Sequence, residues 1–221
     1  MLYKMLVVSD IHGAISNVRA LRGVEFDIAV IAGDLADGDM DKAISILDEF
    51  TRHTSNVVWV PGNTDDPRLL ELDRVGINIH GKLVRVDEFV FVGVGGSLYT
   101  PFNTPIEYSE EELRMMLHQS LKNYERKSSS DRLVIVSHTP PYMSGLDRIR
   151  GGAYVGSKVL REILAEYKPL LLATGHIHES WGVSSIEGVP GVNPGPLASG
   201  RYSVIEVDKD GWVVRIRLYK V

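Results

Sequence analysis

The feature that most constrains this chain is an event that repeats along it. A short run of Val, Ile, Leu and Ala stops abruptly at residues able to ligate a cation. The run Lys4 to Val8 stops at Ser9, with Asp10, His12 and Gly13 beyond it, and Asp27 to Ala32 stops at Gly33-Asp34. Asn56 to Val60 runs into Pro61-Gly62-Asn63-Thr64-Asp65, Leu133 to Val136 into Ser137-His138, and Leu170 to Ala173 into Thr174-Gly175-His176-Ile177-His178. Apolar runs of this length, bounded by turn residues, predict strands buried on both faces. In an open α/β sheet, ligands gather at the carboxyl ends of such strands.

Any single instance is weak. Asp10 and His12, two residues apart before Gly13, can aim a carboxylate oxygen and an imidazole nitrogen at one point. They read equally as a helix N-cap beside a solvated histidine. Recurrence changes the balance, because four of the seven His residues fall at strand ends. His53, His80 and His118 do not, and each reads as a surface or helix-face histidine.

Between the strands, helical spacing of apolar residues predicts helices over Asn17 to Gly23, Met40 to Phe50, Arg68 to Val75, Glu110 to about Arg126 and Lys158 to Tyr167. Asp66-Pro67 has the form of an N-cap followed by proline at the first helical position, and Ser109 with Glu112 that of a capping box. Lys82 to Val86 and Phe89 to Val94 flank Asp87-Glu88 as a hairpin, so the sheet content is mixed. Lys127 to Ser130 reads as a surface linker. Trp181 to Ile186, Tyr202 to Val207 and Trp212 to Leu218 read as strands, the last two joined through Asp208 to Gly211. No internal repeat or low-complexity region interrupts the chain.

With 221 residues and 44% hydrophobic content, the chain is expected to form one well-buried domain over 1–221. It has no apolar run near the roughly 20 residues of a membrane span and no signal-peptide pattern, which predicts a cytoplasmic protein without a membrane partner. The absence of cysteine excludes thiolate ligands and a thiol nucleophile, so a metal must be held by oxygen and nitrogen. A net charge of −5 disfavours a sequence-independent grip on nucleic acid. Oligomeric state is not legible.

The ordered series Asp-x-His, Gly-Asp, Gly-Asn, Ser-His and Gly-His-x-His, from Asp10 to His178, resembles the calcineurin-like metallophosphoesterase family. The resemblance implies an α/β fold, a four-layer αββα sandwich with two mixed sheets, and two divalent metal ions at the carboxyl edge of the strands. Carried over, Asp10, His12 and His178 hold the first metal, Asn63, His138 and His176 hold the second, and Asp34 bridges them. A hydroxide shared by the metals is then the expected nucleophile for in-line attack on a small phosphoester. Donors of this type admit Mn²⁺, Fe, Ni²⁺, Zn²⁺ or Co²⁺. The residues implicated in catalysis are Asp34, Asn63, His138 and Asp65.

One position departs from the family. Most members read Gly-Asn-His followed by Asp or Glu, the His aiding the departing oxygen, whereas this chain carries Thr64 and then Asp65. A threonine hydroxyl is a poor general acid, and loss of such a group costs about 10² to 10⁴ in rate. The expectation is therefore a phosphodiesterase rather than a strong monoesterase. Asp65 reads equally as the orienting acid and as a charge at the start of a helix. The alternative is a scaffold of the same fold with little catalysis, as a retromer subunit of the family is understood to be. Seven intact ligand positions weigh against it. Asn193-Pro194-Gly195-Pro196 reads either as a loop near the metals or as a turn between strands. Gly151 to Ser157 reads either as a phosphate cradle at a helix start or as a flexible loop.

Overall fold

Every apolar run identified above becomes a strand with apolar contacts on both faces. The computed structural model describes residues 2–122, 124, 132–208 and 212–221. Its strands, in chain order, are β1 (Leu2–Val8), β2 (Ile28–Ala32), β3 (Val57–Val60), β4 (Ile77–Asn78), β5 (Leu83–Val86), β6 (Phe89–Val94) and β7 (Ser97–Leu98). They continue with β8 (Glu107–Tyr108), β9 (Arg132–Ser137), β10 (Leu171–Thr174), β11 (Gly182–Ile186), β12 (Val189–Asn193), β13 (Arg201–Asp208) and β14 (Val213–Lys220). The helices are α1 (Ile15–Ala20), α2 (Met40–Thr51), α3 (Glu110–Leu121) and α4 (Lys158–Tyr167).

Two six-stranded mixed sheets result, with orders β14-β13-β1-β2-β3-β4 and β11-β12-β10-β9-β6-β5. In the first, β1 to β4 run parallel and β13 and β14 are antiparallel additions. In the second, β12, β10, β9 and β6 are parallel, with β11 and β5 antiparallel at the edges.

The sheets face each other. Side chains alternate along a strand, so Met5 and Val7 point inward with Val30 and Val58 to meet Phe91, Val134 and Ala173 of the second sheet. Leu6 and Val8 point outward with Ile31 and Trp59 against Val18 of α1 and Ile46, Leu47 and Phe50 of α2. The outer face of the second sheet packs Val92, Ile135 and Leu172 against Leu113 and Leu117 of α3 and Leu160 and Ile163 of α4. Each large apolar side chain removed from water contributes about 1.5–3 kcal/mol. The arrangement is the expected four-layer αββα sandwich, and it explains why the central strands read as unbroken apolar runs.

Several local expectations are corrected. The first helix begins at Ile15 and ends at Ala20, followed by a 3-10 turn over Leu21–Gly23. Asp66 does cap the next element, accepting from the Arg68 amide, but that element is a 3-10 helix over Pro67–Glu71 rather than a helix to Val75. Its carbonyls at Leu69 and Leu70 are taken by the Asn78 amide, so the chain turns into β4 instead of extending the helix. Strands β4, β7 and β8 have two residues each and show no periodicity in sequence. The Ser109–Glu112 capping box is present. The expected end of α3 near Arg126, the linker over 127–130 and the turn residues 209–211 lie outside the described residues. Among the described residues, no helix is long and apolar enough to cross a membrane.

Candidate metal centre

The central parallel strands of both sheets end at one place. There β1 delivers Asp10 and His12, β2 delivers Asp34, β3 delivers Asn63, β9 delivers His138, and β10 delivers His176 and His178. The backbone bends sharply to do so. Asp10, His12, Asp34 and His176 all adopt left-handed φ, at 53°, 45°, 54° and 67°. That conformation costs a non-glycine residue about 1–3 kcal/mol and persists where the surroundings enforce it.

Glycine precedes three of the candidate ligands, and the structure shows why at each, since a Cβ on Gly33 would collide with the His138 ring and the Gly62 Cα. A Cβ on Gly62 would collide with Oδ1 and the backbone nitrogen of Asp34, and one on Gly175 would collide with the Ser9 side chain and approach Asp10 Oδ2. The loops carrying the ligands touch at these points, so no side chain fits between them.

The donor atoms converge. Asp10 Oδ1 lies 3.2 Å from His178 Nε2, which lies 3.2 Å from His12 Nε2. Asp34 Oδ2 lies 3.7 Å from His12 Nε2 and 3.4 Å from His138 Nε2, placing one carboxylate oxygen between two imidazoles. His138 Nε2 is also 2.9 Å from Asn63 Oδ1. Ligating atoms of Asp10, His12 and His178 fall within 4.8 Å of one another, as do those of Asp10, Asp34 and His138. His176 joins through its backbone N–H, which donates to both oxygens of Asp10 at 3.2 Å, and its ring centroid lies 5.1 Å from that of His138. Asp10, Asp34, Asn63 and His138 are buried, His12 and His176 half-buried, and His178 exposed, so the cluster opens to solvent on the His178 side.

The surrounding hydrogen bonds fix which atom of His138, His12 and Asn63 faces the cluster. Nδ1 of His138 lies 2.6 Å from the Ala32 carbonyl, which can only accept, so Nδ1 carries the hydrogen and Nε2 faces the site. Nδ1 of His12 lies 2.6 Å from Asp37 Oδ1, with the same consequence. The Asn63 amide donates to Thr104 Oγ1 at 3.0 Å, and Thr104 in turn donates to Glu107 Oε1 at 2.6 Å, leaving Asn63 Oδ1 turned inward. Asp37, Thr104 and Glu107 were not identified from the sequence. Asp37 was the most accessible of them, three residues beyond Asp34 on the same loop.

The carboxylates and imidazoles of the cluster shift one another strongly. Burial pushes His138 down, but the neighbouring Asp34 carboxylate outweighs it and raises the imidazole to about 9. Burial raises Asp34, and the His138 charge and hydrogen bond overcome it, holding the carboxyl well below its usual range. His178 is raised by its hydrogen bond to Asp10, whereas burial and the His138 charge depress His176 to about 4. Two buried carboxylates therefore draw positive charge to this spot. Inward-facing Nε2 and Oδ atoms about 3 Å apart have the spacing of neighbouring donors on a cation with bonds near 2.1 Å. The donor set fits divalent metal.

Thr64 and Asp65 occupy different settings. The Thr64 hydroxyl donates to Asp37 Oδ1 at 3.0 Å, and its amide donates to Asp34 Oδ1 at 3.0 Å. Asp65 is fully buried and accepts from the amides of Leu35, Ala36 and Gly62 at 3.0, 3.0 and 2.8 Å. Burial and the Asp34 charge push it up to about 6. It joins the Asp34 loop to the Asn63 loop, while Asp66 does the capping.

Of the two loops left open, the turn over Asn193 to Pro196 resolves as a support. Asn193 donates to the carbonyls of Gly175 and Ile177, and the amides of Leu197 and Ala198 donate to Ser9 and Asp10, so this turn braces the Asp10 and His176 loops from behind. The start of α4 is not free for phosphate, because the amides of Lys158 and Val159 donate to the Glu110 carboxylate. His53 and His118 are exposed as expected, but His80 is half-buried outside any helix, accepting from the Gly95 amide and stacked on Tyr108.

Comparison with known proteins agrees with this geometry. The sequence pattern of the calcineurin-like phosphoesterase family matches residues 3–180. The Methanocaldococcus jannaschii protein MJ1162 is 34% identical over 215 residues, covering 94% of this chain and 93% of its own. Among solved structures, TT1561 of Thermus thermophilus superposes with a TM-score of 0.72 at 18% identity, over 100% of this chain and 99% of its own. A dimetal phosphatase from Danio rerio does so with a TM-score of 0.61 at 14% identity, over 99% and 98%. This chain belongs to the calcineurin-like phosphoesterase family.

Proposed function

We propose that this protein is a cytoplasmic phosphodiesterase of small substrates with a two-metal centre, the whole chain acting as one catalytic unit. The observation that carries the reading is the position of Asp34 Oδ2 between Nε2 of His12 and Nε2 of His138, where one carboxylate serves two groups of ligands. Asp10, His12 and His178 would hold one cation and Asn63, His138 and His176 the other, with Asp34 shared. Bound there, two divalent cations supply Lewis acidity and lower the pKa of water toward neutrality.

In the hydrolysis, water adds to phosphorus and the bond to one ester oxygen breaks, giving a phosphomonoester and an alcohol. The departing oxygen needs a proton or its equivalent. The Thr64 hydroxyl is a poor source because it is committed to Asp37. A good leaving group on a diester tolerates that lack better than a monoester does. Asp65 acts as a positioning residue through the loops it joins.

The test is hydrolysis of an activated aryl phosphodiester and the matching monoester by metal-stripped protein titrated with Mn²⁺, beside Asp34→Asn. Metal-dependent turnover that favours the diester and is lost in the variant supports the proposal. Binding of two metals with no turnover of either ester points instead to a scaffold.

A further inference from the structure

Beside His176 and His178 the surface opens into a cleft of about 510 Å³. One wall is the segment Leu98 to Phe102, and the other carries Ile149, Arg150 and Val155. The walls are largely apolar, although the cleft opens from a cluster of carboxylates and imidazoles. Phe102 is 81% exposed and Tyr99 69%, unusual for large aromatic side chains on a well-anchored loop.

The anchoring comes from Glu107. Its Oε1 accepts from Thr100 Oγ1 at 2.6 Å and from the Thr104 amide at 2.9 Å, while the Phe102 amide donates to Thr100 Oγ1 at 3.1 Å. The same carboxylate oxygen holds Thr104, which orients Asn63. One hub therefore fixes both the aromatic wall and a metal ligand, so the distance between cleft and reaction centre is set by the fold. Beyond His178, Arg150 and Glu179, which border both surfaces, the neighbouring surface adds the cations Arg201 and Lys220.

We infer that the natural substrate is a phosphodiester with one bulky apolar or aromatic ester arm, and that this arm lies in the cleft between Phe102 and Val155. The inference rests on the phosphodiesterase reading above. The phosphoryl group sits at the ligand cluster, the apolar arm enters the cleft, and the polar arm turns toward Arg201 and Lys220. A cleft of this volume falls within the range of about 300–1,000 Å³ typical for small-molecule sites.

The experiment compares two p-nitrophenyl phosphodiesters on Mn²⁺-loaded protein, one with methyl and one with phenyl as the second arm. The phenyl ester is expected to have about tenfold higher kcat/KM, carried by KM, and the ratio is expected to fall to about one in Phe102→Ser combined with Val155→Ser. No preference in the natural sequence, or a preference that survives both substitutions, overturns the inference. If neither ester is hydrolysed, the phosphodiesterase reading fails, and the cleft is judged by calorimetric binding of diphenyl and dimethyl phosphate to the same proteins. About tenfold tighter binding of the diphenyl ester, lost in the double variant, supports the cleft by itself, and equal binding of the two overturns it.

Discussion

The hydroxyl of Thr64 donates to Oδ1 of Asp37, the oxygen that also lies 2.6 Å from Nδ1 of His12. Asp37 is thus the outer partner of His12, a candidate metal ligand, and Thr64 is its support. Removing such a partner typically weakens metal affinity about 10–100-fold. Asp37→Ala is expected to weaken Mn²⁺ binding by that amount, and Thr64→Val by a smaller factor. Calorimetric Mn²⁺ titration reads both, and unchanged affinity in Asp37→Ala would remove Asp37 from the site.

Asp34 and His138 make contrasting predictions. Asp34 Oδ2 faces imidazoles of both candidate ligand groups, whereas the short contacts of His138 Nε2 are to Asn63 Oδ1 and Asp34 Oδ2. Asp34→Asn is expected to lower both metals together, and His138→Ala chiefly one. Elemental analysis after dialysis distinguishes them, and equal loss of both metals from His138→Ala counts against the ligand assignment.

That Asp10, His12, Asp34, Asn63, His138, His176 and His178 fall at strand ends was legible in the sequence, because strands buried on both faces leave little ambiguity about where they end. The glycines before Asn63 and His176 were legible as pattern, but their cause, the contact of neighbouring loops at Gly62 and Gly175, exists only in three dimensions. Asp37 was missed because, before Gly38, it reads as an ordinary turn residue. Thr104 reaches Asn63 across 41 residues, and no local spacing announces that contact. The helix expected through Val75 failed because Asn78, beyond its expected end, claims the Leu69 and Leu70 carbonyls.

Asp65 separates a structural from a chemical role. Its carboxylate is the acceptor for the amides of Leu35, Ala36 and Gly62, and a buried donor without a partner costs about 1–3 kcal/mol. Asp65→Ala is expected to lose at least about 3 kcal/mol in urea denaturation, and Asp65→Asn about 1–2 kcal/mol. Metal-loaded Asp65→Asn is expected to keep its turnover within about tenfold. A variant as stable as the parent but more than a hundredfold slower would instead make Asp65 part of the chemistry.

Gly62 and Gly188 test why glycine is required. A Cβ at Gly62 meets Asp34, whereas one at Gly188, with φ of 83°, meets nothing within 4 Å. Gly188→Ala is expected to cost only left-handed strain, about 1–2 kcal/mol, with metal binding intact. Gly62→Ala is expected to cost about 1–3 kcal/mol from overpacking and to displace Asp34, lowering metal content. Full metal content in Gly62→Ala would show that the loops have more room than the contact implies.

His80 gives the stability of the fold a pH dependence away from the metal ligands. Its Nδ1 accepts from the Gly95 amide at 2.9 Å, which requires that nitrogen to be unprotonated. Burial first, and then the charge of Lys82, depress the imidazole to about 4. An unfolded histidine titrates near 6.5, so below that pH the unfolded chain binds the proton that folded His80 refuses. The stability that neutral His80 contributes is present above about 6.5 and is lost as pH falls from there toward 4, by about 2–3 kcal/mol in all. His176 is depressed as well, so the measurement is a difference: urea denaturation of the parent and of His80→Asn, whose amide oxygen can accept from Gly95, at matched pH values. The parent is expected to lose more stability than the variant between pH 6.5 and 4, and parallel curves would show that His80 titrates normally in the fold.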